Sequence, residues 1–401
     1  MKNFPRVPYG STVHGDDEID AVVKVLKTST QMGLNVETFE KKISKIFNKK
    51  YGVMTNSGTS ALFLAIESLN IPEGSEIITP SLTFATTVGC LVKNRLIPVF
   101  TDVNLRTFCI DVDTIESKIT NKTKAILAPD LLGNLCNWRE IREIADKYDL
   151  MVFHDSADTL GATLNGLPTG SYTDISITSF YGSHIINGAG NGGMLCTDSE
   201  EILNKSKLLR SWGRSSSLFK DSESIENRFK VNLSGIDYDA KFVFEEIGYQ
   251  LEPSEISAAF ALVQLEKLNH NLQKRREIFS KHQNFFSNFK KHFLTPIETS
   301  NSNSGWLAYP LIIQENKNFS RTDLQVFLEK RNIQTRVIFT GNILRQPGFE
   351  NINCVGKPDD FPNSDQIMKN GILIGCHHGL TDQQIKHVHD SFELFIKNTV
   401  N

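Results

Sequence analysis

Short apolar runs bounded by turns recur between residues 51 and 155, and helical patterns separate them. Tyr51-Gly-Val-Met-Thr, Ser75-Glu-Ile-Ile-Thr-Pro, Leu96-Ile-Pro-Val-Phe, Thr123-Lys-Ala-Ile-Leu-Ala-Pro and Leu150-Met-Val-Phe-His read as strands. Such short apolar runs suit a sheet covered on both faces. Residues 60–69, 84–93 and 138–148 have the helical spacing that supplies the cover, and two further helical patterns, 17–27 and 36–47, precede the first strand. The alternation predicts an α/β fold around a large, mostly parallel sheet.

The pattern breaks between Ser215 and Glu246, where Ser-Ser-Ser-Leu-Phe-Lys-Asp-Ser-Glu-Ser-Ile-Glu is polar and aperiodic. A long excursion from the sheet is expected there, of the kind used for lids and interface arms. One long helical pattern begins at Glu255 and leads into α+β sequence ending in a helix over 382–397. With 401 residues, 39% of them hydrophobic, the chain can build two cores. The expected division is 1–253, a large domain with N-terminal helices and the excursion, and 254–401, a smaller α+β domain. No internal repeat is found.

A net charge of −3 with 22% charged residues offers no basic surface for nucleic acid or an anionic membrane. The first residues lack the apolar core of a signal peptide, and no later run is long enough to span a bilayer. The six cysteines are scattered without C-x-x-C spacing, as expected for reduced thiols of a cytoplasmic protein with no metal site. His377, His378, His387 and His389 lack a carboxylate or thiolate at ligand spacing and read as packing or solvated histidines.

Chemistry gathers at the carboxyl ends of the predicted strands, where open α/β sheets bind ligands. Asn56-Ser57-Gly58-Thr59-Ser60-Ala61 joins a strand to a helix, so it is either an anion cup or an ordinary N-cap. Asp155 ends a strand, where a carboxylate can keep a cofactor's pyridinium nitrogen protonated or simply cap a turn. Gly188, Gly190 and Gly193 match G-x-G-x-x-G but precede a strand instead of opening a helix. They therefore form a tight reversal and not a dinucleotide fingerprint. Just before them, Ser179-Phe-Tyr-Gly-Ser-His184-Ile places a histidine between a strand end and that reversal.

Taken together, Ser57-Gly-Thr-Ser-Ala, Pro80-Ser-Leu-Thr-Phe84, Asp155-Ser-Ala-Asp158-Thr-Leu-Gly-Ala, Ser179-Phe-Tyr, Gly192-Gly193 and Gly248-Tyr-Gln250-Leu resemble the DegT/DnrJ/EryC1/StrS sugar-aminotransferase family over nearly the whole chain. The resemblance implies a fold-type I, aspartate aminotransferase-like α/β enzyme dependent on pyridoxal phosphate. It implies that Gly58, Thr59 and Ser179 bind the cofactor phosphate, that Phe84 stacks on the pyridine ring and that Asp155 pairs with the ring nitrogen. Asp158 stands where family aminotransferases commonly carry glutamine, against the other ring face or its 3-hydroxyl. Gln250 stands where an asparagine usually reaches the neighbouring subunit's phosphate site, which implies a homodimer with shared active sites.

Most members carry a Schiff-base lysine where this chain has His184. The sequence around His184, and Thr340-Gly-Asn-Ile-Leu-Arg345-Gln-Pro, resemble the histidine subgroup, which consists of nucleotide-sugar 3-dehydratases. The implied activity is C3 deoxygenation of a nucleotide-linked 4-keto-6-deoxyhexose by pyridoxamine phosphate, with His184 as acid/base, in dideoxysugar synthesis for a surface polysaccharide or a glycosylated metabolite. One branch of that subgroup has a cysteine pair after Trp-Gly-Arg for an iron–sulfur cluster. Here Trp212-Gly-Arg214 is followed by Ser215-Ser-Ser217, and serine is a poor substitute for a cluster thiolate. The other branch, recharged by L-glutamate, is the expected one, with no cluster. Arg214, Arg336 and Arg345 are candidate diphosphate or sugar contacts, or else surface salt bridges. The alternatives are an aminotransferase that makes an amino sugar and an inactive paralogue kept as a binding partner.

Overall fold

Seven strands pair into one sheet in the computed structural model, which describes residues 4–221, 223–315 and 318–400. They are β1 (Tyr51–Thr55), β2 (Glu76–Pro80), β3 (Ile97–Thr101), β4 (Thr123–Pro129), β5 (Met151–Asp155), β6 (Ile175–Ser179) and β7 (Gly193–Thr197). Their order is β1-β7-β6-β5-β4-β2-β3, and every neighbouring pair is parallel except those made by β7.

Successive residues show why these runs carry no polar face. Ile77 packs with Leu64, Leu91 and Phe153 on one side of the sheet, while Ile78 packs with Ile126, Trp138 and Val152 on the other. Side chains alternate across a strand, so a sheet with helices on both faces needs apolar residues at both parities. The fold is the mostly parallel α/β architecture expected of fold-type I enzymes.

The helix expected from Glu255 is two helices, Glu255–Glu266 and Leu268–Phe286, meeting at Lys267. The first packs on the helices Asp16–Leu26 and Leu34–Ile46. The second helps build another core around the antiparallel strands Phe293–Leu294, Ala308–Ile313 and Gly371–Gly375. Val7 joins that core and bridges to Ile333, so the segment before the first helix lies against residues far along the chain.

The excursion after Ser215 is not featureless. It holds the short helix Ile225–Arg228 and the hairpin Val231–Leu233 with Ile236–Tyr238. It also carries apolar side chains outward: Phe229 is 58% exposed, Ile236 64% and Ile247 96%. No helix among the described residues is long and apolar enough to cross a membrane.

Candidate active site

The carboxyl ends of β1, β4, β5 and β6 open onto a cavity of about 340 Å³. Ser57, the N-cap of the helix Gly58–Glu67, accepts from the Ser60 amide through its hydroxyl, leaving the Gly58 and Thr59 amides at the cavity. The absence of a side chain at Gly58 is a packing requirement. A Cβ there would stand 2.7 Å from the Ser179 Cβ, at the end of β6. Unpaired amides at a helix start favour an anion.

Asp155 closes β5 and is 5% exposed. Its carboxylate accepts from Thr87 Oγ1 at 2.9 Å and from the Ala157 amide at 3.2 Å. No cation forms an ion pair with it among the described residues. Burial raises its pKa, against the pull of those two hydrogen bonds. A buried carboxylate on a cavity wall without a counter-ion suits a cationic ligand atom.

Asp158 accepts from the Leu132 amide at 2.9 Å, and burial, reinforced by the charge of Asp155, pushes its pKa up to about 7. Phe84, 53% exposed, meets Phe339 edge-on at 5.9 Å at the cavity rim.

His184 follows β6 on the turn before the glycine reversal, where Gly190 has φ +105° and Gly192 has φ +138°. Its Nδ1 lies 2.6 Å from the Ala157 carbonyl oxygen. A carbonyl only accepts, so Nδ1 carries the proton and the neutral ring keeps its lone pair on Nε2. Burial lowers the imidazole pKa to about 4, helped by the charge of Arg275 and opposed by the bond to Ala157. At neutral pH the ring is therefore uncharged. Among the described residues no lysine and no arginine lines the cavity.

Seven sequence-derived candidates thus share one cavity: Gly58, Thr59, Phe84, Asp155, Asp158, Ser179 and His184. Four do not line it. Gln250 is exposed and bridges Ser211 through its backbone. Arg214 stacks over Trp212 at 4.3 Å, and Arg336 lies 5.6 Å from the ring of Tyr9, itself a wall of the cavity. Arg345 is held by Asp365 and Asp359 at 2.5 and 2.7 Å, which makes it a salt-bridge residue in this chain. Tyr9, Thr87, Asp130, Leu307 and Phe339 also line the cavity and were missed by sequence reading. Thr87 alone had a signal, one turn inside the helix beginning at Ala85 and facing the predicted Asp155.

The sequence pattern of one family matches residues 13–393. The chain belongs to the DegT/DnrJ/EryC1/StrS aminotransferase family. It is similar to the lipopolysaccharide biosynthesis protein RfbH of Salmonella typhimurium, 34% identical over 403 residues that cover 97% of this chain and 91% of that protein. It is equally similar, 34% over 403 residues, to the dTDP-4-dehydro-2,6-dideoxy-D-glucose 3-dehydratase of Saccharopolyspora spinosa, covering 98% and 87%. A GDP-perosamine synthase of Caulobacter vibrioides is 26% identical over 390 residues, covering 97% and 98%. The crystal structure of GDP-4-keto-6-deoxymannose-3-dehydratase with a trapped PLP–glutamate geminal diamine matches with a TM-score of 0.85 at 28% identity, covering 96% of this chain and 99% of that one.

Family members depend on pyridoxal phosphate, and the cavity fits that group. Gly58 and Thr59 offer amides for a phosphate, Ser179 a hydroxyl, and Asp155 a buried carboxylate for a protonated ring nitrogen. The aromatic face of Phe84 is free for stacking.

Proposed function

We propose that this protein is a nucleotide-sugar 3-dehydratase. It removes the C3 hydroxyl of a nucleotide-linked 4-keto-6-deoxyhexose, using pyridoxal phosphate in its amine form and L-glutamate as amino donor. The observation that carries this reading is His184, with Nε2 unprotonated, in a cavity that no lysine lines among the described residues. A chain without that lysine has no covalent hold on the cofactor, and its histidine moves protons only.

Bound there, the amine form of the cofactor supplies a nucleophilic nitrogen for the C4 ketone and a ring that accepts electrons. Gly58, Thr59 and Ser179 hold its phosphate, and Phe84 covers one ring face. Asp155 would meet the protonated ring nitrogen, and Asp158 would lie toward the other side or the 3-hydroxyl. His184 Nε2, with its lone pair free, would take a proton from the C4′ carbon of the bound cofactor. Desolvation makes the imidazolium a stronger acid than a free one, and it would pass that proton to the C3 oxygen, which departs as water. The product is a 4-keto-3,6-dideoxy sugar; the nitrogen first carried by the cofactor leaves as ammonia, the cofactor would be left as its aldehyde, and L-glutamate would restore the amine, departing as 2-oxoglutarate.

Glutamate is supported by the adduct in the solved relative and by the serines that replace a cluster's thiolates. Ser217 Oγ donates to the Arg214 carbonyl at 2.7 Å, a bond within its own turn. The reading includes a homodimer that brings Gln250 to the partner's phosphate site. The exposed Phe229, Ile236 and Ile247 on the adjoining arm support it.

Incubation with cofactor, glutamate and a series of nucleotide-linked 4-keto-6-deoxy sugars tests the reading by mass spectrometry of the sugar. Loss of the C3 hydroxyl is expected. The perosamine synthase relative favours a second reading, amino transfer, and a 4-amino sugar with C3 intact would establish it.

A further inference from the structure

Behind His184 lies a cation from the long helix that follows Glu255. Arg275, in the helix Leu268–Phe286, is 0% exposed and has no carboxylate partner among the described residues. Its donors go elsewhere. Nη2 donates to the carbonyls of Ser183 at 3.2 Å and His184 at 3.1 Å. Nη1 donates to those of Trp306 at 3.1 Å and Leu307 at 3.2 Å. Nε donates to His378 Nδ1 at 3.3 Å.

Burying a guanidinium without a counter-ion is costly unless every donor is used, and the planar fork of arginine meets that condition here. The four carbonyls belong to two segments that share nothing in sequence, the His184 turn and the lead-in to the strand Ala308–Ile313. Ser183, His184 and Leu307 all line the cavity.

We infer that Arg275 is a positioning residue for His184, clamping its turn to the Trp306–Leu307 segment and setting a fixed positive charge behind the imidazole. The inference rests on His184 being the base of the proposed reaction. Burial lowers the arginine's pKa to about 10, so it is a cation at neutral pH. The charged or titratable groups around the imidazole and its cavity are Arg275 from its helix, Asp155 at the end of β5, Asp158 from the turn after it, Asp130 just after β4, Tyr9 from the segment before the first helix, and Tyr181 from its own turn. Arg275 is the one cation in that set and opposes protonation of the ring.

The test compares Arg275→Met, which removes the charge, with Arg275→Lys, which keeps the charge but cannot bridge four carbonyls. Histidine ring protons are followed by NMR in the cofactor-free protein, with His184→Asn identifying the signal. In the parent and in Arg275→Lys the His184 signal stays neutral from about pH 5.5 to 7.5. In Arg275→Met the titration, followed to the acid limit of folding, moves to higher pH than the parent's, short of the ordinary value of about 6.5 because burial is the larger cause and remains. Arg275→Lys is further expected to lower kcat on the order of tenfold with KM little changed, as misplacement of a base does.

An Arg275→Met titration that matches the parent's would overturn the electrostatic role. Parental kcat in Arg275→Lys would overturn the clamp, and that variant carries the test alone if the methionine variant does not fold. The titration needs neither cofactor nor sugar. A shifted titration without any dehydration would instead count against the proposed function and leave the role of Arg275 intact.

Discussion

His184 and Ala157 are joined by a 2.6 Å contact from ring Nδ1 to the main-chain oxygen, across 27 positions of sequence. The bond fixes which nitrogen of the ring carries the proton, and it ties the turn after β6 to the loop that follows Asp155 and supplies Asp158. A lysine at 184 would bring a flexible amine to the same wall in place of a ring with a fixed lone pair.

His184→Lys is expected to gain a covalent hold on pyridoxal phosphate, fixed by borohydride and located by peptide mass, and to shift turnover toward amino transfer. His184→Asn, which cannot carry the proton, should lose dehydration by on the order of a hundredfold or more. Unaltered dehydration in either variant would remove His184 as the base.

The acid side of the pH profile follows from the same ring. The working form is neutral, so activity is present above the pKa of about 4 and falls as pH drops through it. Rates of kcat/KM measured down to the limit of folding should stay level well below pH 6. An acid limb near the free-imidazole value of about 6.5 would contradict this.

Asp158 gives a stability prediction with the opposite slope. Its folded pKa, about 7, is above that of a free carboxyl, so the folded state is favoured when the group is protonated. This contribution is complete below the unfolded value near 3.9 and is lost as pH rises through about 7. Asp158→Asn should therefore raise the Tm of the cofactor-free protein at pH 8 relative to pH 5. The stabilisation at pH 8 is on the order of 2–4 kcal/mol. Differential scanning calorimetry at the two pH values decides it.

Asp155→Asn keeps the shape of the side chain and removes its charge. Without a carboxylate the ring nitrogen loses its protonating partner, and every step that needs electrons to enter the ring slows. A drop of on the order of a hundredfold in kcat is expected, by analogy with loss of an electrostatic stabiliser. Cofactor fluorescence titration should show weaker binding as well.

Gly58→Ala tests the phosphate cup without touching a charge. The new methyl would have to displace Ser179, whose Cβ is 2.7 Å from where it must sit. Affinity for pyridoxal phosphate should fall roughly tenfold or more, consistent with lost charge-assisted hydrogen bonds. The far-ultraviolet circular dichroism should be unchanged.

The sheet was legible because its strands are apolar at both parities and end in turns, a pattern that burial on two faces imposes. Tyr51–Thr55, Thr123–Pro129 and Trp138–Tyr148 were read to the residue. Of the seven candidates that line the cavity, Gly58, Thr59, Asp155 and His184 were legible at strand ends, and Phe84, Asp158 and Ser179 through the family resemblance. What sequence could not give is what long-range packing decides. Arg275 sits in a helix rich in lysine and arginine, and only its neighbours across the fold make it buried. Arg345 carries the same charge but meets Asp359 and Asp365, partners that no spacing rule connects to it. Tyr9 and Phe339 reach the cavity from segments more than three hundred residues apart.

The placement of Tyr9 has a consequence for synthesis of the chain. Its amide donates to Gln334 Oε1 at 3.1 Å, Val7 bridges Ile333, and His377 Nε2 donates to the Pro8 carbonyl at 3.1 Å. Residues 7–9 thus wait for partners synthesised more than three hundred positions later, and contacts so distant in sequence form late. Until then one wall of the cavity is missing. A nascent chain stalled before residue 333 can carry the large sheet and the phosphate cup, yet it has no complete pocket, so competence waits for the partners at 333, 334 and 377.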